Sequence, residues 1–391
     1  MISREQLRQL AEFEGRHPEE VAISFYFQPG TPQDKSHREE AIEAKDLVRH
    51  ALREVEANGR SREAICDLRR ILELAERLHG NQARAKVVFA CSALAIWHEF
   101  DVPSVASPTC LFVNRRFHLK PLASLFSEYP RLWVALVDRQ NARFVEVHMD
   151  EVTDRGVMEN PAPRHGRSDG FAGYDAGHAQ RHVEDETRKH FDLASDFLRI
   201  GAERGQFDAL VIGCHEVNWP EFESRLHPDV QKKIAGRLGG NFTGWSNERT
   251  AVEGTKILRQ YLSQHHESLL RETLNEARSN GRGVTGLRRV LRAFEMGEVE
   301  TLLMARDYSS RAVECTNCRH LDSHLVPYCP VCGRATRQLD DVCEALVPAA
   351  VRNSIGLVLL PPQDTLDRIG NIAALLRFRA DRNNNQRLAA S

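Results

Sequence analysis

Two cysteine pairs near the end of the chain restrict its folding more than any other feature. Cys315-Thr316-Asn317-Cys318 is followed, after ten residues, by Cys329-Pro330-Val331-Cys332-Gly333. Thiolate pairs at this spacing can close a tetrahedral shell around one ion, so the segment has to fold back on itself as a ribbon. The glycine after the second pair lets backbone amides turn toward sulfur without a Cβ clash. One structural zinc ion held by Cys315, Cys318, Cys329 and Cys332 is therefore expected. Two disulfides are the alternative, and the polar, charged opening MISREQLRQLAEFEGRH, which does not read as a secretion signal, weighs against them. His320 and His324 fall between the pairs and read as solvated loop residues, because four thiolates already fill the shell.

A chain of 391 residues exceeds what one core supports, so two or three domains are expected. No run of about eighteen apolar residues occurs, which predicts a cytoplasmic protein without a membrane partner. The net charge of −2 argues against a generally basic nucleic-acid coat. Local basic stretches exist all the same, at Arg115, Arg116, His118 and Lys120 and at Arg282, Arg288, Arg289 and Arg292. The other five cysteines, Cys66, Cys91, Cys110, Cys214 and Cys343, lie in apolar sequence and read as reduced core thiols.

Helix and strand patterns alternate along the whole chain, which predicts an α/β (α+β) protein of three consecutive α/β domains. The boundaries fall at 1–125, 126–246 and 247–391, with the zinc ribbon inserted into the third at 312–336. The first domain has a strand at Val21 to Phe27, helices over 36–57 and 60–79, and strands near Lys86 to Cys91 and Thr109 to Val113. The second opens with a hairpin, Trp133 to Asp138 and Phe144 to His148, turned at Gln140-Asn141. Then comes the least apolar stretch, Pro161 to Gly177, with two prolines, two arginines and four glycines. A long loop with nothing to bury points to function. A helix from about Gly177 to Glu203 carries it, followed by a strand at Asp208 to Cys214 and helices over 219–237. A long helix, Asn247 to Asn280, leads into the third domain, where helices at Thr285 to Met296 and Leu339 to Asn353 alternate with strands at Thr301 to Arg306, Ile355 to Leu360 and Ala374 to Arg379.

Several of these segments coincide with one superfamily. LRRVLRAFEMGEVETLLMARD, from Leu287 to Asp307, resembles the start of the third domain of archaeal and eukaryotic peptide-chain release factors and of Pelota. Ile369 to Arg379 resembles that domain's closing strand, and the archaeal factors carry a zinc ribbon at the same place. The hairpin from Leu136 to Val147, the run Arg164-His165-Gly166-Arg167 and Gly239-Gly240-Asn241 are similar to elements of their second domain. The first domain lacks the stop-codon-reading motifs of release factors. With Phe117-His118-Leu119-Lys120-Pro121-Leu122 as its exit, it resembles the N-terminal domain of the bacterial release-factor-like family, whose members include Balon-type ribosome hibernation factors.

The resemblance implies a factor that occupies the ribosomal A site, touching rRNA and the region of the mRNA channel, and that works as a monomer with elongation factor Tu or another translational GTPase. Release factors place the hydrolytic water with a Gly-Gly-Gln tip. Here Arg167 is followed by Ser168 to Gln180 without that tripeptide, and Gln180 stands only in Gly-His-Ala-Gln. The expectation is therefore a ribosome hibernation or protection factor with no catalytic residue. A peptidyl-tRNA hydrolase and a non-ribosomal zinc-ribbon interaction module are the alternatives. The loop can still enter RNA: Arg164, His165, Arg167, Arg181 and His182 suit phosphates, Phe171 and Tyr174 suit base stacking, and His178 and Gln180 lie beside them. Arg115, Arg116 and Lys120 form the second expected RNA contact.

Overall fold

The apolar run after Val21 forms a strand, Ala22–Phe27, buried along its whole length. In the computed structural model, which describes residues 2–29, 37–57, 62–77, 85–103, 108–149, 151–160, 175–242 and 244–379, this strand is internal to a four-stranded antiparallel sheet. The sheet runs Ile96–Asp101, Lys86–Cys91, Ala22–Phe27, Cys110–Asn114. Helices His37–Ala57 and Arg62–Arg77 cover it, presenting Ala44, Val48, Ala51 and Val55, and Ala64, Leu68, Ile71 and Ala75, to Ile23, Phe25 and Val88. That spacing of three and four residues is the apolar stripe of an amphipathic helix. The strand Ile96–Asp101 was not expected; it is short, at the sheet edge, and buries mainly Phe100. Nor was the helix Arg4–Glu12, started by a capping box in which Ser3 and Gln6 satisfy each other's backbone amides.

The described residues divide into two compact units, and the division does not follow chain order. Unit 1 joins residues 1–127 to 268–391, and unit 2 is 128–267. The segment read as the first domain and the part of the third from residue 268 onward thus fall in one unit, whereas residues 247–267 belong to the other. The later half of unit 1 has a sheet in the order Gly283–Thr285, Ile372–Leu376, Val299–Ala305, Gly356–Leu360, whose last two strands are parallel. The crossover between those two carries the ribbon and the helix Cys343–Arg352. The ribbon is a small antiparallel sheet with Ala312–Cys315 between Leu321–Asp322 and Thr336–Leu339.

Unit 2 has five strands in the order Glu151–Glu159, Asn141–His148, Leu132–Val137, Ala209–Cys214, Ile234–Leu238. The central strand Leu132–Val137 reads as a continuous apolar run because both of its faces are covered. Trp133, Ala135 and Val137 meet Phe191, Ala194 and Leu198 of the helix Asp175–Glu203, while Leu132, Val134 and Leu136 meet Ala251 and Leu258 of the helix Asn247–Arg278. Gly254 permits the second contact: a Cβ there would lie 2.4 Å from Val134 Cγ2. The stretch 219–237, expected as helices, holds two short ones, Trp219–Glu223 and Pro228–Gln231, and then the strand Ile234–Leu238, parallel to Ala209–Cys214. The strand Glu151–Glu159 was missed because it is exposed over most of its length and offers little apolar alternation.

Candidate metal centre and candidate RNA interface

The ribbon brings Cys315, Cys318, Cys329 and Cys332 together, with all four Sγ atoms within 4.8 Å of one another. Cys315 and Cys332 approach to 3.3 Å, and Cys318 and Cys329 to 3.6 Å. Four sulfurs about 2.3 Å from a tetrahedral ion stand about 3.8 Å apart, so the cluster fits such an ion. Each pair sits in a knuckle of the same design. The amides of Asn317 and Cys318 donate to Cys315 Sγ at 3.4 Å, and that of Val331 donates to Cys329 Sγ at 3.4 Å. The residue after each pair has a left-handed backbone, φ +62° at Arg319 and +71° at Gly333. A hydrogen bond donated by the Arg334 backbone amide and the contact with Cys315 pull the Cys332 thiol down to about 6. Despite the His320 amide, desolvation and the other thiols push Cys318 up to about 12. Sulfurs so crowded cannot all ionise without a cation to balance them.

Neither histidine of the ribbon loop joins the cluster. His324 Nδ1 lies 3.0 Å from Asp322 Oδ1 and is exposed. His320, expected in water, is instead paired with Glu295. Among the remaining cysteines Cys91, Cys214 and Cys343 are buried, but Cys66, read as a core thiol, is exposed on its helix.

The basic stretch after the strand Cys110–Asn114 departs from expectation. Arg115 is exposed, whereas Arg116 is only 6% exposed and Lys120 is buried. Arg116 donates from Nη1 and Nη2 to both oxygens of Glu314, at 2.9 and 2.6 Å, and from Nη2 to Glu14 at 2.6 Å. Arg337 reaches Glu314 at 2.6 Å and Glu14 at 3.4 Å, and Arg319 completes the network at 3.0 Å from Glu14. Burial works against the charge on Glu314, but the bonds from Arg116 and Arg337 hold its carboxyl below the ordinary value. Lys120 donates from Nζ to the Tyr308 carbonyl. Arg116 and Lys120 are therefore corrected from RNA contacts to internal ties of unit 1, since both are buried and their charges have protein partners. Sequence reasoning missed Glu14, Glu314, Arg319 and Arg337. Only Arg319 left a signal, since it follows its cysteine pair as Gly333 follows the other.

Arg164, His165, Arg167, Phe171 and Tyr174 lie outside the described residues. His178, Gln180, Arg181 and His182 fall on the helix Asp175–Glu203. Gln180 is thus in helical backbone, in the second turn.

The sequence profile described as "Bacterial archaeo-eukaryotic release factor family 10" matches residues 118–266. Over residues 118–266 the chain resembles that family. The match covers the Asp175–Glu203 helix, and the four cysteines lie beyond it. Among curated relatives, peptide chain release factor subunit 1 of Pyrococcus abyssi is 25% identical over 202 residues, 45% of this chain and 49% of that protein. The protein of the same name from Thermococcus onnurineus is 25% identical over 211 residues, 48% of this chain and 51% of the relative. The chain thus spans about half the length of the curated relatives it matches. Among solved structures, an archaeal Pelota in a ribosome-bound complex is 16% identical, covering 77% of this chain and 80% of its own, with a TM-score of 0.41. No helix among the described residues is long and apolar enough to cross a membrane.

Proposed function

We propose that this chain is a translation factor that binds the ribosomal A site and protects idle ribosomes without releasing peptide, with a translational GTPase of the elongation factor Tu type as its partner and zinc as its ribbon ion. The observation that carries the reading is the family match over residues 118–266, the segment that contains the Arg164–Gln180 stretch. Both curated relatives are named as release factors. Two features of this chain support protection over hydrolysis. Residues 168–180 contain no Gly-Gly-Gln, and Gln180 belongs to a regular helix rather than to a glycine-rich tip. A helical glutamine lacks the backbone freedom with which such a tip positions water against an ester.

Co-sedimentation with ribosomes over a salt titration tests the proposal. Binding through phosphates weakens with salt, and reversing charge at Arg164 and Arg167 should lower affinity and flatten the salt slope by about one unit per lost contact. Reversal at Arg382 and Arg387, in the polar tail, should leave binding unchanged. Equal binding by the Arg164 and Arg167 variant would remove the loop from the interface, and absence of sedimentation would leave the ribbon-scaffold reading. In the same preparation, peptide release that depends on Gln180 would establish a hydrolase instead.

A further inference from the structure

The ion network around Arg116 and the thiolate cluster are two ends of one small structure. Glu314 is the residue before Cys315, Arg319 is the residue after Cys318, and Arg337 is the second residue of the return strand Thr336–Leu339 after the second knuckle. These three side chains hold Glu14 and Arg116, which belong to the N-terminal part of unit 1. Glu14 stands two residues beyond the helix Arg4–Glu12, which buries Leu7, Leu10 and Ala11 and packs against the helix Cys343–Arg352. Arg352 adds one bond, from Nη1 to the Ala11 carbonyl at 2.6 Å.

We propose that the ribbon's metal is a latch for the N-terminal helix: with the ion bound, Glu314, Arg319 and Arg337 hold Glu14 and Arg116 and keep residues 3–14 docked, and with the ion lost they let them go. Besides its contacts with Glu295 and the buried Ala312, Val313 and Leu339 at its base, the ribbon has little to hold its outer part. Its sheet is three short strands, the longest Ala312–Cys315 and Thr336–Leu339, and Leu325, Tyr328 and Val331 are exposed rather than packed. A module of that size owes its fold to the ion. When it melts, Glu14 loses Arg319 and Arg337, and the buried guanidinium of Arg116 loses both oxygens of Glu314 and keeps Glu14 alone. A buried ion pair stripped of most of its hydrogen bonds is unfavourable enough for the surrounding segment to open and hydrate it. A nine-residue helix is too short to persist without its docking contacts. The geometry of Arg319 gives the coupling its direction, because its left-handed backbone is set by the knuckle and its side chain ends on Glu14.

This inference rests on the ribbon holding a metal, and it is independent of ribosome binding. Hydrogen exchange of the full chain, read by mass spectrometry before and after zinc removal with a chelator and again after zinc is returned, tests it. The expected result is that residues 3–14 lose protection by about tenfold or more together with the ribbon, regain it with zinc, and leave strands Ala22–Phe27 and Lys86–Cys91 protected. In the zinc-loaded protein, Glu14→Gln should loosen residues 3–14 while the ribbon stays protected. The latch is overturned if the ribbon opens and residues 3–14 do not, or if the two core strands open with it. It is equally overturned if the purified chain carries no metal, or if Glu14→Gln changes nothing.

Discussion

The four thiols of the ribbon and the ion network at Arg116 each collect charge away from water, but they collect it from different reaches of the chain. The thiols come from residues 315 to 332, the network from residue 14 to residue 337. Cys315 and Cys318 could find each other in an unfolded chain; Glu14 and Arg337 could meet only after both parts of unit 1 had formed. The first cluster is therefore a local module that an ion can close, and the second is a product of tertiary packing. One consequence is that they should fail differently, the ribbon through its ligand and the network through its buried charge.

The largest expected effect is on the ribbon. Metal binding to four-thiolate modules contributes on the order of 10 kcal/mol to their folding. Cys329→Ser, which removes a buried ligand, should lower bound metal from one ion per chain toward none and raise proteolysis between residues 312 and 336. Unchanged metal content would break the comparison at its first term, since the cluster would then be only a set of neighbouring thiols.

The network should respond next. Removing one partner of a buried ion pair costs about 3–5 kcal/mol, because the other is left charged without water. Arg116→Ala should therefore lower the melting temperature of unit 1 strongly, whereas Arg115→Ala, at an exposed neighbour, should change stability by less than about 0.5 kcal/mol. Equal effects from the two would mean that Arg116 is not held as the structure has it.

That pair of arginines also marks how far the sequence could be read. The ribbon was legible because its chemistry depends on spacing alone, and the strands Ala22–Phe27 and Leu132–Val137 because their apolar runs admit few other readings. Arg115 and Arg116 are indistinguishable in composition, and only the position of Glu314, almost two hundred residues on, makes one of them internal. Edge strands such as Glu151–Glu159 escaped for the opposite reason: exposure of both faces over most of the length removes the alternation that would announce them. Long-range pairing and exposed edges were the two blind regions.

The same junction should show a pH dependence in which two groups oppose each other. Burial, with Asp341 nearby, pushes the Glu344 carboxyl up to about 7 from 4.5, although Asn114 donates to it. Burial pushes the His118 imidazole down to about 4 from 6.5. For Glu344 the folded state holds the proton more tightly, so stability falls as pH rises from 4.5 to 7; for His118 the unfolded state binds it first, so stability falls as pH drops from 6.5 to 4. Glu344→Gln leaves only the second effect. Its melting temperature relative to the unaltered chain should climb between pH 4.5 and 7.5 and then level off. A constant difference over that range would place Glu344 at its ordinary value.

The smallest effect sharpens the comparison most, because it sets the two clusters against each other in one residue. Arg319 occupies the left-handed position that Gly333 occupies in the second knuckle, with φ +62° against +71°. A non-glycine backbone there costs about 1 kcal/mol, which Arg319→Gly would recover. The substitution also deletes the ion pair with Glu14, in which Arg319 is 56% exposed, and such pairs contribute about 0–1 kcal/mol. The two terms nearly cancel in overall stability, but they act on different parts. The ribbon should gain, seen as tighter metal retention against a chelator, while the N-terminal helix should lose, seen as faster hydrogen exchange at residues 4–12. Arg319→Ala keeps the strain and deletes the pair, so it should loosen the helix without tightening the metal. If both variants move metal retention and helix protection in the same direction, the two clusters are one cooperative unit, and the separation between a local module and a packed network does not hold.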